Sequence, residues 1–177
     1  MAHTTERMRV SLPGSIPLTT RTGREIPNNQ DPDPPPSRAR LYVEHYGKSH
    51  PFAKMRRWPT GQYNCHGMTF ASRRTGIWER APEFVGLILK DDGYDQVLFE
   101  DVHEGDIVVY YRGNEIEHTA VVIGVKKDDT LIGGAAVTVI SKWACGAEYV
   151  HDIRECPYVG TGRSITYWSD RNGADSR

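Results

Sequence analysis

No stretch of this sequence approaches the roughly 18 consecutive apolar residues that a membrane-spanning helix needs, and neither sign of charge is in excess. Lys and Arg number 22 against 23 Asp and Glu, for a formal net charge of -1. That balance supplies no overall field to draw in nucleic acid or an anionic membrane, so neither is expected as a partner. The opening residues, Met1 to Ser15, lack a basic segment followed by an apolar one, and no secretory signal is expected. Cysteine is scarce, with three in 177 residues. An odd, small number without a signal argues against a disulfide framework and for reduced thiols in a cytoplasmic protein, with signal-free export left open. Apolar residues make up 38% of the chain, enough for one modest core with polar segments around it.

Residues 1–38 read as a disordered, Pro-rich arm. The run Asp31-Pro32-Asp33-Pro34-Pro35-Pro36 favours extended conformations and offers no core. The plain reading is a linker; the sharper one is a tail that binds a protein partner. Folded structure is expected over 39–170, with 171–177 frayed. Leu41-Tyr42-Val43 suits a first strand or a short helix, and 47–62 reads as a loop. Asn64 is a good N-cap for a helix from about Cys65 to Arg74, ended by Gly76. A second helix follows Pro82, with Phe84, Leu87 and Ile88 on one apolar face. The remainder reads as strands: Ile107 to Tyr111, Ile116 to Val125, a short one near Leu131, Val137 to Lys142 and Ser164 to Trp168. Helices first and then strands at hairpin spacing indicate an α+β fold on an antiparallel sheet.

The chemistry centres on Cys65. A cysteine at a helix start lies in the partial positive charge of unpaired N–H groups, which favours the thiolate. Set against this, a lone cysteine is more often a small buried hydrophobe. His118 is the candidate base. It opens a strand whose alternate residues, Ala120, Val122 and Gly124, are small or apolar. That face suits a closely packed helix and would bring His118 to the start of the Cys65 helix. A base needs its second ring nitrogen held. Ser141 ranks first for that role by position, and Glu148, His151 and Lys142 are alternatives. His66, adjacent to Cys65, faces elsewhere on a helix and is read as lining the cleft or as structural. Tyr63 and Asn64 are candidate substrate contacts beside the nucleophile. Arg56, Arg57 and Trp58 just upstream suit either a substrate groove or a docking surface. Cys145, His151 and Cys156 do not match short zinc spacings, and no metal is expected.

Together, Asn64-Cys65-His66-Gly67, Glu104-Gly105-Asp106-Ile107-Val108-Val109-Tyr110 and Glu117-His118-Thr119-Ala120-Val121-Val122 resemble the NlpC/P60 and CHAP branch of papain-like cysteine hydrolases. The likeness covers roughly residues 60–145. Downstream, Ser141-Lys142-Trp143, Gly146, His151 and Pro157-Tyr158 are similar to bacterial members of that group. The resemblance implies Cys65 as nucleophile and His118 as base, with Trp143 as a further substrate contact and no cofactor. It also implies a third polar residue, usually His, Asn, Gln or Glu, where this chain has Ser141 or Lys142. The family is largely exported to cell walls, whereas this chain shows no export signal. The expected function is hydrolysis of a peptide or isopeptide amide through a thioester. The alternatives are a non-catalytic binding module on the same fold and an acyltransferase using the same dyad.

Overall fold

Two β-branched runs separated by Gly113-Asn114 make the central hairpin. Gly113 has φ +59°, as a type II′ turn requires at its first central position. The hairpin joins β3 (Ile107–Arg112) to β4 (Glu115–Lys127). The computed structural model describes residues 14–78, 80–127 and 135–171. Among these, β1 (Lys54–Arg57), β2 (Asp95–Val97), β5 (Ala135–Lys142), β6 (Glu148–Asp152) and β7 (Arg163–Ser169) complete a sheet of order β1-β6-β5-β4-β3-β7-β2. All its pairings are antiparallel. With helices α1 (Pro36–Ser49), α2 (Cys65–Phe70) and α3 (Ala81–Asp91), the fold is α+β. No helix of the described residues is long and apolar enough to cross a membrane. The expected strand near Leu131 lies outside the described residues.

The sheet has two differently dressed faces. One carries Ile107, Val109 and Ile116 against Val85 and Leu89 of α3, and Val121 and Ile140 against Met68 of α2. The other buries Val108, Tyr110, Ala120, Val122, Val137 and Val139 beneath Ile153 and Cys156, which follow β6. A bulge in β4 decides which residues go where. Tyr110 pairs with His118 and Tyr111 with Ile116, so Glu117 is the extra residue. Ile116 and His118 therefore face opposite sides, although they are two apart in sequence.

Several elements depart from the sequence expectations. Of the two readings of Leu41-Tyr42-Val43 the helix holds, but as part of the longer, 14-residue α1, which Pro36 starts and Tyr46 anchors on Trp143, ring centroids 5.0 Å apart. The cysteine helix stops at Phe70, because Ser72 and Arg73 turn left-handed at φ +50° and +66°. Gly76 pairs with Asn29 instead of capping that helix. In α3 the buried face is Ala81, Val85, Ile88 and Leu89, with Phe84 and Leu87 at its margins. Residues 148–152, which are not among the expected strands, form β6.

Residues 14–38 of the Pro-rich arm are the largest difference; residues 1–13 of that arm and 172–177 of the tail read as frayed lie outside the described residues. Ile26 is buried with Ile77, Ala81 and Ile88. The buried Asn28 side chain donates to the Ile16 and Ile26 carbonyls and accepts from the Thr75 hydroxyl. Gly61 and Asp31 are joined by a backbone hydrogen bond, and Asp33 accepts from Thr60 and Gly61. Its few apolar residues pack because asparagine and aspartate side chains satisfy the extended backbone around them.

Candidate functional site

The start of α2 is built around Asn64. Its side-chain oxygen accepts the Gly67 N–H at 2.8 Å and the Ile77 N–H at 3.1 Å, while its amide donates to the Ile77 carbonyl at 2.6 Å. The N-cap thus also ties the helix start to the loop before α3. Gly67 is required by close approach: a Cβ there would lie 1.8 Å from the Thr75 carbonyl oxygen. Cys65 is held at the mouth of this turn and is almost fully buried.

Cys65 meets β4 at Thr119. The Thr119 backbone N–H is directed at the thiol, as are the N–H groups of Cys65 and His66. The Thr119 hydroxyl bonds His66 Nδ1 and accepts from Thr69, both at 3.1 Å. Beyond this point β4 and β5 pair only from Val121 and Ile140 onward, so the Cys65 end of the two strands is a fork. Burial pushes the Cys65 thiol up to about 11, against the opposing pull of those N–H groups and of the Lys142 ammonium. The resting sulfur is a thiol, not the thiolate expected of a helix start, because desolvation outweighs the N–H field.

His118 lies on the other face. It is fully buried, stacks on Tyr158 with ring centroids 4.1 Å apart, and leans on Tyr110 at 5.3 Å. Both of its ring nitrogens are buried without a hydrogen-bond partner among the described residues. Burial drives its pKa well below the ordinary histidine value, so the ring is neutral. The expectation that the face of Ala120 and Val122 receives the cysteine helix is corrected here: α2 packs on the Thr119 and Val121 side. The Cys65 sulfur contributes to raising the pKa of Tyr158 and of Cys156, which lie on the His118 side. No hydrogen bond joins the thiol to the imidazole in this arrangement.

None of the four candidates for the orienting group contacts the His118 ring nitrogens. Ser141 bonds His151 Nε2 at 2.8 Å and the Trp143 indole N–H at 2.9 Å. His151 Nδ1 meets the Asp152 carbonyl, and burial lowers its pKa to about 4. Lys142 donates to the Gly146 carbonyl at 2.5 Å, and burial lowers it to about 8. Glu148 is buried and takes Arg73 at 2.7 Å, Arg56 at 3.1 Å and the Tyr63 hydroxyl at 3.3 Å. Aromatic stacking, not a hydrogen bond, holds the His118 ring. Three of the four expected substrate contacts, Asn64, His66 and Trp143, are buried structural residues, and Trp143 stacks on Tyr149 at 4.1 Å. Tyr63 alone also reaches a cavity.

That cavity, of about 870 Å³, was not foreseen as a whole. Arg57, Trp58, Gln62, Tyr63, Arg73 and Arg74 line it, with Ile16 and Pro17 of the arm. The sequence signal for it is the cluster Arg56-Arg57-Trp58; Arg73 and Arg74 carry none, because they fall in the stretch expected to be helix. Among the described residues no group of three or more His, Cys, Asp or Glu is placed to hold a metal. Cys145, His151 and Cys156 are separate in environment: Cys156 is buried under the sheet, while Cys145 is half-buried. Compared with family models, with curated proteins and with solved structures, the chain shows no match.

Proposed function

We propose that this protein is a cysteine-dependent amide hydrolase of papain-like type, related to the NlpC/P60 and CHAP group, with Cys65 as nucleophile and His118 as base. One observation carries the reading. A fully buried imidazole with both nitrogens unpaired sits one residue from the backbone N–H that addresses the only cysteine at a helix start. Unsatisfied buried polar groups are costly and rare, and a waiting proton acceptor accounts for this one.

The chemistry starts from a neutral pair. The thiol or the ring turns into contact, and His118 takes the proton as sulfur attacks the carbonyl carbon. The N–H groups of Thr119 and of the start of α2 are donors available to the developing oxyanion. The C–N bond breaks, the imidazolium returns the proton to the amine, and a thioester remains on Cys65. Water then attacks with His118 as base, the C–S bond breaks, and the thiol reforms. An acyltransferase would replace that water with another nucleophile.

Intact-protein mass spectrometry after exposure to 4-nitrophenyl acetate tests the pair. The parent should acylate at Cys65, and His118→Ala should slow that reaction by about 10²–10⁴-fold. Equal rates in the two proteins, or acylation confined to Cys145, would end this reading.

A further inference from the structure

The 870 Å³ cavity is richer in positive charge than its own acids can balance. Glu148 is the one carboxylate against which Arg56, Arg57 and Arg73 gather, at 3.1, 3.8 and 2.7 Å. Arg74 has no carboxylate partner among the described residues; its Nε donates only to the Ala71 carbonyl. Asp33, hydrogen-bonded to the cavity residue Thr60, already accepts from Thr60 and Gly61. The guanidinium groups of Arg57 and Arg74 are exposed, and Trp58 is half exposed beside them. Gln30 and Gln62 supply amide groups on the same wall.

The backbone reinforces the arrangement. Ser72 and Arg73 are consecutive non-glycine residues at φ +50° and +66°. That left-handed backbone is strained for a residue with a Cβ. The strain reverses the chain directly after α2, with the Arg73 N–H on the Gly67 carbonyl, and delivers Arg73 to Glu148 and Arg74 to the rim. Strain held in this way commonly marks a functional site. Tyr63, two residues before Cys65, then joins cavity to nucleophile: it lines the cavity, bonds Glu148 and packs on Met68 of α2.

We infer that this cavity anchors a carboxylate of the substrate, so that the amides cleaved at Cys65 belong to acidic peptides. Planar guanidinium groups match a carboxylate in two-pronged fashion, and the Trp58 ring covers the peptide beside it. The anchor rests on the hydrolase reading for its role, but its binding does not depend on Cys65. The carboxylate comes either from an Asp or Glu side chain or from a free C-terminus.

Binding is measured with Cys65→Ala full-length protein, by Trp58 fluorescence with Trp58→Phe as blank. The probes are acetyl-Ala-Glu-Ala-amide, its Gln counterpart, and acetyl-Ala-Ala with a free carboxylate. The Glu peptide, the free-carboxylate peptide or both should bind at least about tenfold tighter than the Gln peptide, as charge-assisted hydrogen bonds require. Whichever of the two binds identifies the source. Arg74→Gln, at an exposed site, should remove most of that preference, and Arg74→Lys should restore part of it. Equal binding of acidic and neutral peptides, or no binding of either, overturns the anchor. Preference in the binding experiment with no acylation of Cys65 would overturn the hydrolase reading and leave the anchor standing.

Discussion

Glu148 is the residue on which most side chains of the candidate site converge. Its carboxylate is fully buried, yet its arginine partners are about 28–55% exposed, so water screens part of each pair. Lys142 is its register partner on β5 and is itself buried. Removing the charge while keeping the shape would leave Arg73 and Lys142 without their anion. Glu148→Gln should therefore destabilise the protein by about 1–3 kcal/mol, less than a wholly buried pair would lose. Urea denaturation of the two proteins measures it; an unchanged midpoint would mean the arginines are held by something else. At this scale the sequence was partly legible. Cys65 and Asn64 were readable because a capping residue before a helix has a local signature. The partners of Ser141, Glu148 and His151 were not, because β6 is absent from the strands that the sequence pattern indicates. A strand that alternates Glu, Tyr, Val, His and Asp shows no apolar period, since each face mixes a polar group with an apolar one: Glu148 with Val150, His151 with Tyr149.

The short helix α2 shows how an element can be held without length of its own. Six residues are too few to be stable alone. Its order comes from Asn64, from the Thr119 hydroxyl and from the contact of Gly67 with Thr75. Asn64→Ala should cost about 1–2 kcal/mol, the upper range for a cap, because the Ile77 bonds are lost with it. Gly67→Ala should cost more, about 2–4 kcal/mol, since the new methyl meets backbone and not a movable side chain. Thermal melts of both variants give the order directly, and an Asn64→Ala loss exceeding that of Gly67→Ala would contradict it. The four strand runs around the central hairpin were legible because β-branched residues alternate there. The side that α2 covers was not. His118, Ala120 and Val122 do share a face, as alternation requires; the side on which α2 packs is set by tertiary contacts through Thr119, and the bulge at Glu117 likewise.

The whole molecule encloses three histidines in or against its sheet, and this sets its response to acid. His66 and His151 are lowered to about 4, and His118 lies well below 6.5, each chiefly by burial. An unfolded histidine takes up its proton near pH 6.5. Between that value and about 4 the unfolded chain binds protons that the folded one refuses, so stability is complete above pH 6.5 and falls as pH drops. Each histidine contributes a slope of about 1.4 kcal/mol per pH unit in that window. Three together, acting from pH 6.5 to pH 5, remove several kcal/mol, a large part of the roughly 5–15 kcal/mol that holds a domain together. The carboxylates held low by partners, Asp33, Asp91 and Asp152, act at lower pH, since their ordinary value is 3.8. Denaturant midpoints at pH 5 should therefore lie far below those at pH 7. His151→Gln, which keeps a hydrogen-bonding group near Ser141, should reduce the slope by about one proton. A midpoint that stays level from pH 7 to pH 5 would mean these rings accept protons inside the fold, and His118 could not then be the neutral base the site requires.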